Sequence, residues 1–145
     1  MQGDAVADDE LLYRRVKAWQ SHFKQTQSGV RVSSQAFSDR NLRPSVDRAL
    51  LNCHDPSRTQ ESSGDLVVSV WAHQVRTLTV QRGTDDICPA DVEPKPTPAN
   101  PAHAEVFLLA PHNDRRVFDK VIERLAQLSR WVIGPPATLP SDREI

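Results

Sequence analysis

Glycine is scarce in this chain, with five in 145 residues. A Gly-rich phosphate cradle needs several backbone positions free of a Cβ, so that kind of nucleotide loop is excluded. Cysteine is scarcer still. Cys53 and Cys88 lie far apart and neither belongs to a CxxC pair, so both read as plain thiols. The residues that suit a metal by type are Cys53, His54, Asp55, His22, His73, Cys88 and His112, and no pair of them has finger or zincin spacing. No metal and no cofactor is expected. No apolar run reaches the length of a membrane span. The N-terminus MQGDAVADDE is acidic and lacks the apolar core of a secretory signal. These absences predict a soluble cytoplasmic protein with no membrane partner.

What the chain has in quantity is charge, proline and arginine. Its length predicts one domain with a core that needs no disulfide. Charged residues make up 26% and are segregated along the chain. Residues 1–10 carry four acids and no base; residues 11–50 carry eight Arg or Lys against Asp39 and Asp47; residues 51–112 carry four bases against eight acids. Arginine outnumbers lysine fourteen to four, which suits bidentate contacts to carboxylate or phosphate.

The expected fold class is α+β, a small mixed or antiparallel sheet of four to five strands covered by a long C-terminal helix. Residues 1–9 read as a disordered tail, 10–135 as a single domain and 136–145 as a loose tail. Alternation predicts strands over 10–16, 30–37, 77–82 and 104–110. Trp19 and Phe23 at i,i+4 predict a short helix or structured loop over 17–29. Pro44, Ser45 as an N-cap and Asp47 in the first turn predict a helix over 45–53. Residues 54–65 lack periodicity and read as an exposed loop. Over 66–78 the first half reads as a buried strand and the second as a helical turn. Residues 83–103 hold Pro89, Pro94, Pro96, Pro98 and Pro101 and read as a Pro-rich loop that cannot be an interior strand. Val117, Phe118, Val121, Ile122, Leu125 and Leu128 form an apolar stripe at helical spacing, capped by Asn113 or Asp114 and stopped by Gly134 and Pro135–Pro136.

Candidate chemistry concentrates at the predicted strand ends. His103 and Glu105 share one face of a strand, with Asn100 just before; a carboxylate beside a histidine can tune it as acid or base. Arg14 and Arg15 are adjacent in a strand, so one must point inward and needs a partner such as Asp47, Glu105 or a bound anion. Ser33 and Ser34 can cap a turn or meet a phosphate, and no GxSxG surrounds them. The basic 11–50 block carries Tyr13, Trp19, Phe23 and Phe37, the combination that stacks on and neutralises nucleic acid.

The segments LLYRRV, VSSQAF, SVDRALL, HQVR, NPAHAEV and RWVIGP, in that order, resemble an uncharacterised family of small bacterial proteins. The resemblance spans residues 11–135 and implies an accessory component of a bacterial conflict, stress or defence system. A second likeness is to ADP-ribosyltransferases, carried by the order Arg14 or Arg15, Ser33 or Ser34, then Glu105. It implies that the Arg holds dinucleotide phosphates, the Ser braces the pocket and the Glu orients a ribose hydroxyl, although His-Ala-Glu stands here where that family has Glu-x-Glu. The expectation that follows is an accessory protein binding a partner protein or an anionic small molecule, where Arg14, Ser33, Asp47, Arg76, Asn100 and His103 converge. The alternatives are an NAD- or nucleotide-processing enzyme with Glu105 and His103 as catalytic candidates, and a nucleic-acid accessory protein.

Overall fold

Alternation in LLYRRV produces a strand whose two faces bury different things. Leu12 and Val16 enter the main core, while Tyr13 and the edge of Leu11 enter a smaller one on the opposite side. This strand, Leu11–Val16 (β1, numbering in chain order), lies inside a six-stranded antiparallel sheet. On one side come Leu66–Trp71 (β5) and then Arg130–Ile133 (β10). On the other come Ser45–Arg48 (β4), His103–Leu108 (β9) and Ala90–Pro94 (β8). Two hairpins stand apart from the sheet: Phe23–Thr26 (β2) with Gly29–Val32 (β3), and Val80–Arg82 (β6) with Asp85–Ile87 (β7). The computed structural model describes residues 4–136.

Scarce glycines fall where the hairpins turn. Gly29 has φ +107 and Gly83 has φ +64, conformations that cost an L side chain strain. The long helix Arg115–Leu128 (α2) starts where the Asp114 carboxylate accepts the Val117 N–H at 2.9 Å. Its buried stripe of Val117, Phe118, Val121, Ile122 and Leu125 shares one cluster with Val46, Val68, Val70, Val92, Ala104 and Val106 of the sheet. Along its length α2 runs beside the 3₁₀ turn Ser34–Phe37, β3 and β6, so the turn and hairpins sit beside it over the sheet. A short helix, Ala72–Thr77 (α1), continues directly from β5 and packs beside β8.

Several expectations are corrected. The sheet has six strands rather than four to five. Residues 45–53 hold no α-helix. The helix-start signals at Pro44, Ser45 and Asp47 are overridden because β1 and β9 flank this segment and offer ladder partners on both sides. Only Ala49–Asn52 makes a 3₁₀ turn, ended by Cys53 at φ +57. The 17–29 stretch is a 3₁₀ turn, Gln20–His22, followed by the β2–β3 hairpin; Phe23 is buried and Trp19 exposed. The strand expected over 30–37 ends at Val32, because the Ser33 hydroxyl accepts the Gln35 N–H and starts a turn. Residues 54–65 contain the 3₁₀ turn Pro56–Thr59, and Thr59 and Asp65 are buried. The 83–103 stretch contains β7 and β8; Pro94 is tolerated because β8 is a sheet edge. The C-terminal helix stops at Leu128, where the Ser129 hydroxyl donates to the Ala126 carbonyl at 2.9 Å, and β10 follows. Residues 137–145 of the expected loose tail lie outside the described residues.

The acidic leader is docked over residues 4–10. Arg48, 3% exposed at its side chain, forks onto Glu10: Nε donates to Oε1 and Nη2 to Oε2, both at 2.8 Å. Arg48 Nη1 also donates to the Asp4 carbonyl at 2.9 Å. The Glu10 and Asp8 carbonyls accept the Ala72 and His73 N–H groups at 2.9 and 3.0 Å. Burial works against ionisation of Glu10, but the bonds from Arg48 and from the Ala7 N–H outweigh it and hold the carboxyl below its usual range. Among the described residues, no helix is long and apolar enough to cross a membrane.

Breaking this pair from one side strands a buried charge. Arg48→Leu is expected to lower stability by about 3–5 kcal/mol in urea denaturation, and the double variant Glu10→Met with Arg48→Leu to recover much of that loss. A double variant as unstable as the single one would show that the charge is not what the pair neutralises.

Candidate functional site

The site begins where two neighbouring strands part. β1 pairs with β5 over its whole length, from Leu11↔Trp71 to Val16↔Leu66. Its ladder with β4 holds only Leu12↔Arg48 and Tyr13↔Asp47. Past Tyr13 the gap is filled by the Arg14 guanidinium. Nε donates to the Ala36 carbonyl at 3.0 Å, Nη1 to the Ser45 carbonyl at 2.8 Å and Nη2 to the Ser38 carbonyl at 3.3 Å. The fork also lies 6.0 Å from the Phe37 ring centroid. Arg14 therefore replaces ladder bonds and ties β1 to β4 and to the 3₁₀ turn. Among the described residues no carboxylate comes within ion-pair distance of it. Burial lowers its pKa to about 10, which leaves it cationic at neutral pH.

A cleft of about 290 Å³ opens at this parting. Arg14, Arg15 and Lys17 bring it three cations, and Asp47 is its acid. Arg15 and Lys17 are partly neutralised from the 54–65 loop: Lys17 Nζ lies 2.9 Å from Glu61 and 3.2 Å from Asp65, and Arg15 Nη2 lies 3.7 Å from Glu61, with Arg15 Nη1 also donating to the Thr59 carbonyl at 3.1 Å. The Lys17 ammonium is held above its usual range chiefly by Glu61. Burial opposes ionisation of Asp65, but the N–H groups of Ser62 and Glu61, with Lys17, hold its carboxyl below the usual range.

The far wall carries the polar residues. The β8–β9 connection closes on itself, with Thr97 and Asn100 exchanging N–H···O=C bonds at 3.1 Å. This sets Asn100 over the cleft, where Nδ2 donates to the buried Asp47 carboxylate at 2.9 Å. Asn52 Nδ2 gives Asp47 a second, longer bond of 3.4 Å. His103, on β9, has Nδ1 2.8 Å from the Lys95 carbonyl and Nε2 3.0 Å from Ser45 Oγ. A carbonyl can only accept, so Nδ1 carries the proton; in the neutral ring Nε2 is then the acceptor and the Ser45 hydroxyl the donor.

Of the residues proposed from the sequence, Arg14, Asp47, Asn100 and His103 line this one cleft, and Arg15 joins them. Ser33 does not: its hydroxyl donates to the Ser21 carbonyl and caps the turn. Ser34 lies within that turn. Arg76 is held elsewhere by Asp91 and Asp8, both at 2.7 Å. Glu105 does not touch His103; Arg43 Nε donates to it at 2.7 Å, and Arg43 also pairs with Glu93. The partner expected for Arg14 or Arg15 in Asp47 or Glu105 is likewise absent, carbonyls and the 54–65 acids taking that place. Ser45 was hidden by its reading as a helix cap. The signal that could have found it is the alternation of Ser45 and Asp47 on one strand face opposite His103.

The segregated charges meet across the fold. Arg48 pairs with Glu10, Lys17 and Arg15 with Glu61 and Asp65, and Arg43 with Glu93 and Glu105. Much of the basic 11–50 block is thus answered by the acids before and after it. Among the described residues, no group of three or more His, Cys, Asp or Glu is placed to hold a metal ion. No protein-family model, curated protein or solved structure matches the chain.

Two outcomes are expected. Arg14→Lys keeps the charge but loses the fork, and should cost about 1–3 kcal/mol in chemical denaturation. For Asp65 the folded pKa lies below the unfolded one, so its stabilisation is full above the ordinary aspartate range and is lost as pH falls through the folded value. Melting temperatures of Asp65→Asn should therefore depend less on pH than those of the unaltered chain below the ordinary aspartate range.

Proposed function

We propose that the protein binds a small anion, one bearing a carboxylate or phosphate group, in the cleft between β1 and β4. The observation that carries this reading is Arg14. A half-buried guanidinium that lines a cleft, is hydrogen-bonded by neutral carbonyls and forms no ion pair, with Asp39 acting on it only from beyond contact, has charge left for an incoming group. Arg15 of β1 and Lys17 just after it also line the cleft, sharing their charge with Glu61 and Asp65. Asn100 and the Ser45–His103 pair on the far wall supply hydrogen-bonding groups that can orient the neutral part of a ligand. The cleft volume of about 290 Å³ suits a metabolite-sized molecule. Such a component would serve as a cytoplasmic accessory protein that responds to a small metabolite, which is compatible with the stress-system role implied by the resemblance.

Thermal melting in the presence of pyrophosphate, AMP and citrate tests the reading. At a hundred times its Kd a ligand adds about 2.7 kcal/mol of stability, a shift readily seen by scanning fluorimetry. The shift should shrink with added salt and vanish in a folded Arg14→Met variant. A panel that leaves the melting curve unmoved, or a shift that survives Arg14→Met, would overturn it.

A further inference from the structure

We propose that Ser45 is a nucleophile activated by His103, and that the cleft takes an ester whose acyl part carries an anionic group. The substrate class rests on the anion-binding reading above; the nucleophile rests on separate geometry. Ser45 Oγ lies 3.0 Å from His103 Nε2, and the other ring nitrogen is 2.8 Å from the Lys95 carbonyl. Nucleophile, base and a third group that fixes the base in one tautomer are the parts that serine acyl transfer needs. Here the third group is a backbone carbonyl instead of a carboxylate.

The backbone around the hydroxyl is fixed on both sides. Pro44 is fully buried and its carbonyl accepts the Val106 N–H at 3.0 Å. The Ser45 carbonyl accepts from Arg14 Nη1 at 2.8 Å. Ser45 itself is exposed and His103 half-buried, so the pair is open to a substrate from the cleft side. Adjacent strands hold both residues, which gives more precise placement than a loop would. Their diagonal placement follows from the register, with Asp47 opposite His103 and Ser45 opposite Glu105.

The steps balance with water as the only second reactant. Ser45 Oγ attacks the ester carbon while its proton passes to His103 Nε2. The tetrahedral adduct collapses, the bond from carbon to the leaving alkoxide oxygen breaks, and that oxygen takes the proton from Nε2. The acyl group is left on Ser45 Oγ. Water then attacks the acyl carbon, gives a proton to Nε2, and the proton returns to Ser45 Oγ as the acid departs. The net change is ester plus water to acid plus alcohol. Arg14, bonded to the backbone carbonyl of the same serine, brings positive charge to the cleft that the pair lines. Because no carboxylate backs the imidazolium, turnover is expected to be slow.

The experiment treats the full chain with a fluorophosphonate probe and follows it by intact mass and peptide mapping. The expected result is a single adduct on Ser45, absent in Ser45→Ala and slowed about tenfold or more in His103→Gln. Melting curves of both variants establish that they are folded. In a parallel assay mono-p-nitrophenyl succinate, which is anionic, should be cleaved with about tenfold higher kcat/KM than neutral p-nitrophenyl acetate. No adduct, or an adduct that persists in Ser45→Ala, overturns the nucleophile whatever the anion panel shows. An adduct on Ser45 with no preference for the charged ester supports the nucleophile and overturns the anionic substrate class.

Discussion

Everything distinctive in this fold follows from β1 and β4 leaving one another after two paired residues. Had the ladder continued, the Ser45 carbonyl would have been taken by β1 and the Arg14 fork could not have tied β4 to the turn. Because it stops, the Ser45 carbonyl of β4 needs a donor, and one planar fork serves it together with the Ala36 and Ser38 carbonyls of the neighbouring turn. The same divergence opens the space that Tyr13, Asp47, Asn100 and His103 border. A lysine could not do this: an ammonium is a point donor on a flexible stem, and the carbonyls come from separate segments. The opening and its filling are one event.

The polar inventory on the second face of the sheet follows from the same break. On the α2 side, aliphatic residues of five strands meet in one cluster. On the other side, the packed apolar cluster among the described residues is small, with Tyr13, Ala49 and Val67 buried beside Leu11 and Ile133. Ser45, Asp47, His103 and Glu105 share that face, and their order comes from directional bonds. Each carboxylate there has an assigned donor: Asp47 takes Asn100 and Glu105 takes Arg43. With no apolar layer to position these groups, hydrogen bonding sets the geometry, and that is why single contacts matter more here than on the helix side.

Much of the architecture was legible in the sequence because periodicity and burial coincide. The alternation of LLYRRV, the apolar run before His73 and the stripe from Val117 to Leu125 all report faces that pack. What was not legible depends on partners remote in the chain. Ser45 followed by Asp47 carries sound helix-start chemistry, yet the strands at 11–16 and 103–108 compete for its backbone and win. Pro94 argues against a strand, but β8 is an edge strand and tolerates a missing N–H, while Pro89 lies just before it. The site residues divide the same way. Arg14 from a strand interior, Asp47 from a segment expected to be helical, and Asn100 and His103 from the end of the Pro-rich loop line one cleft. Ser33, Arg76 and Glu105 had the right chemistry, but nearer partners (a turn, two aspartates and Arg43) claim them. The charge segregation along the chain records pairing between early and later segments, which composition alone does not show.

The sheet order has a bearing on how the molecule comes into being. Among the described strands β1 is synthesised first, yet it ends up in the interior, between residues 45–48 and 66–71. Until those later segments emerge, the earliest strand has both hydrogen-bonding margins bare, and the fork from Arg48 to Glu10 cannot close. Assembly on the ribosome must therefore wait for roughly the first half of the chain, and an interval with two uncovered strand margins is when self-association competes with folding.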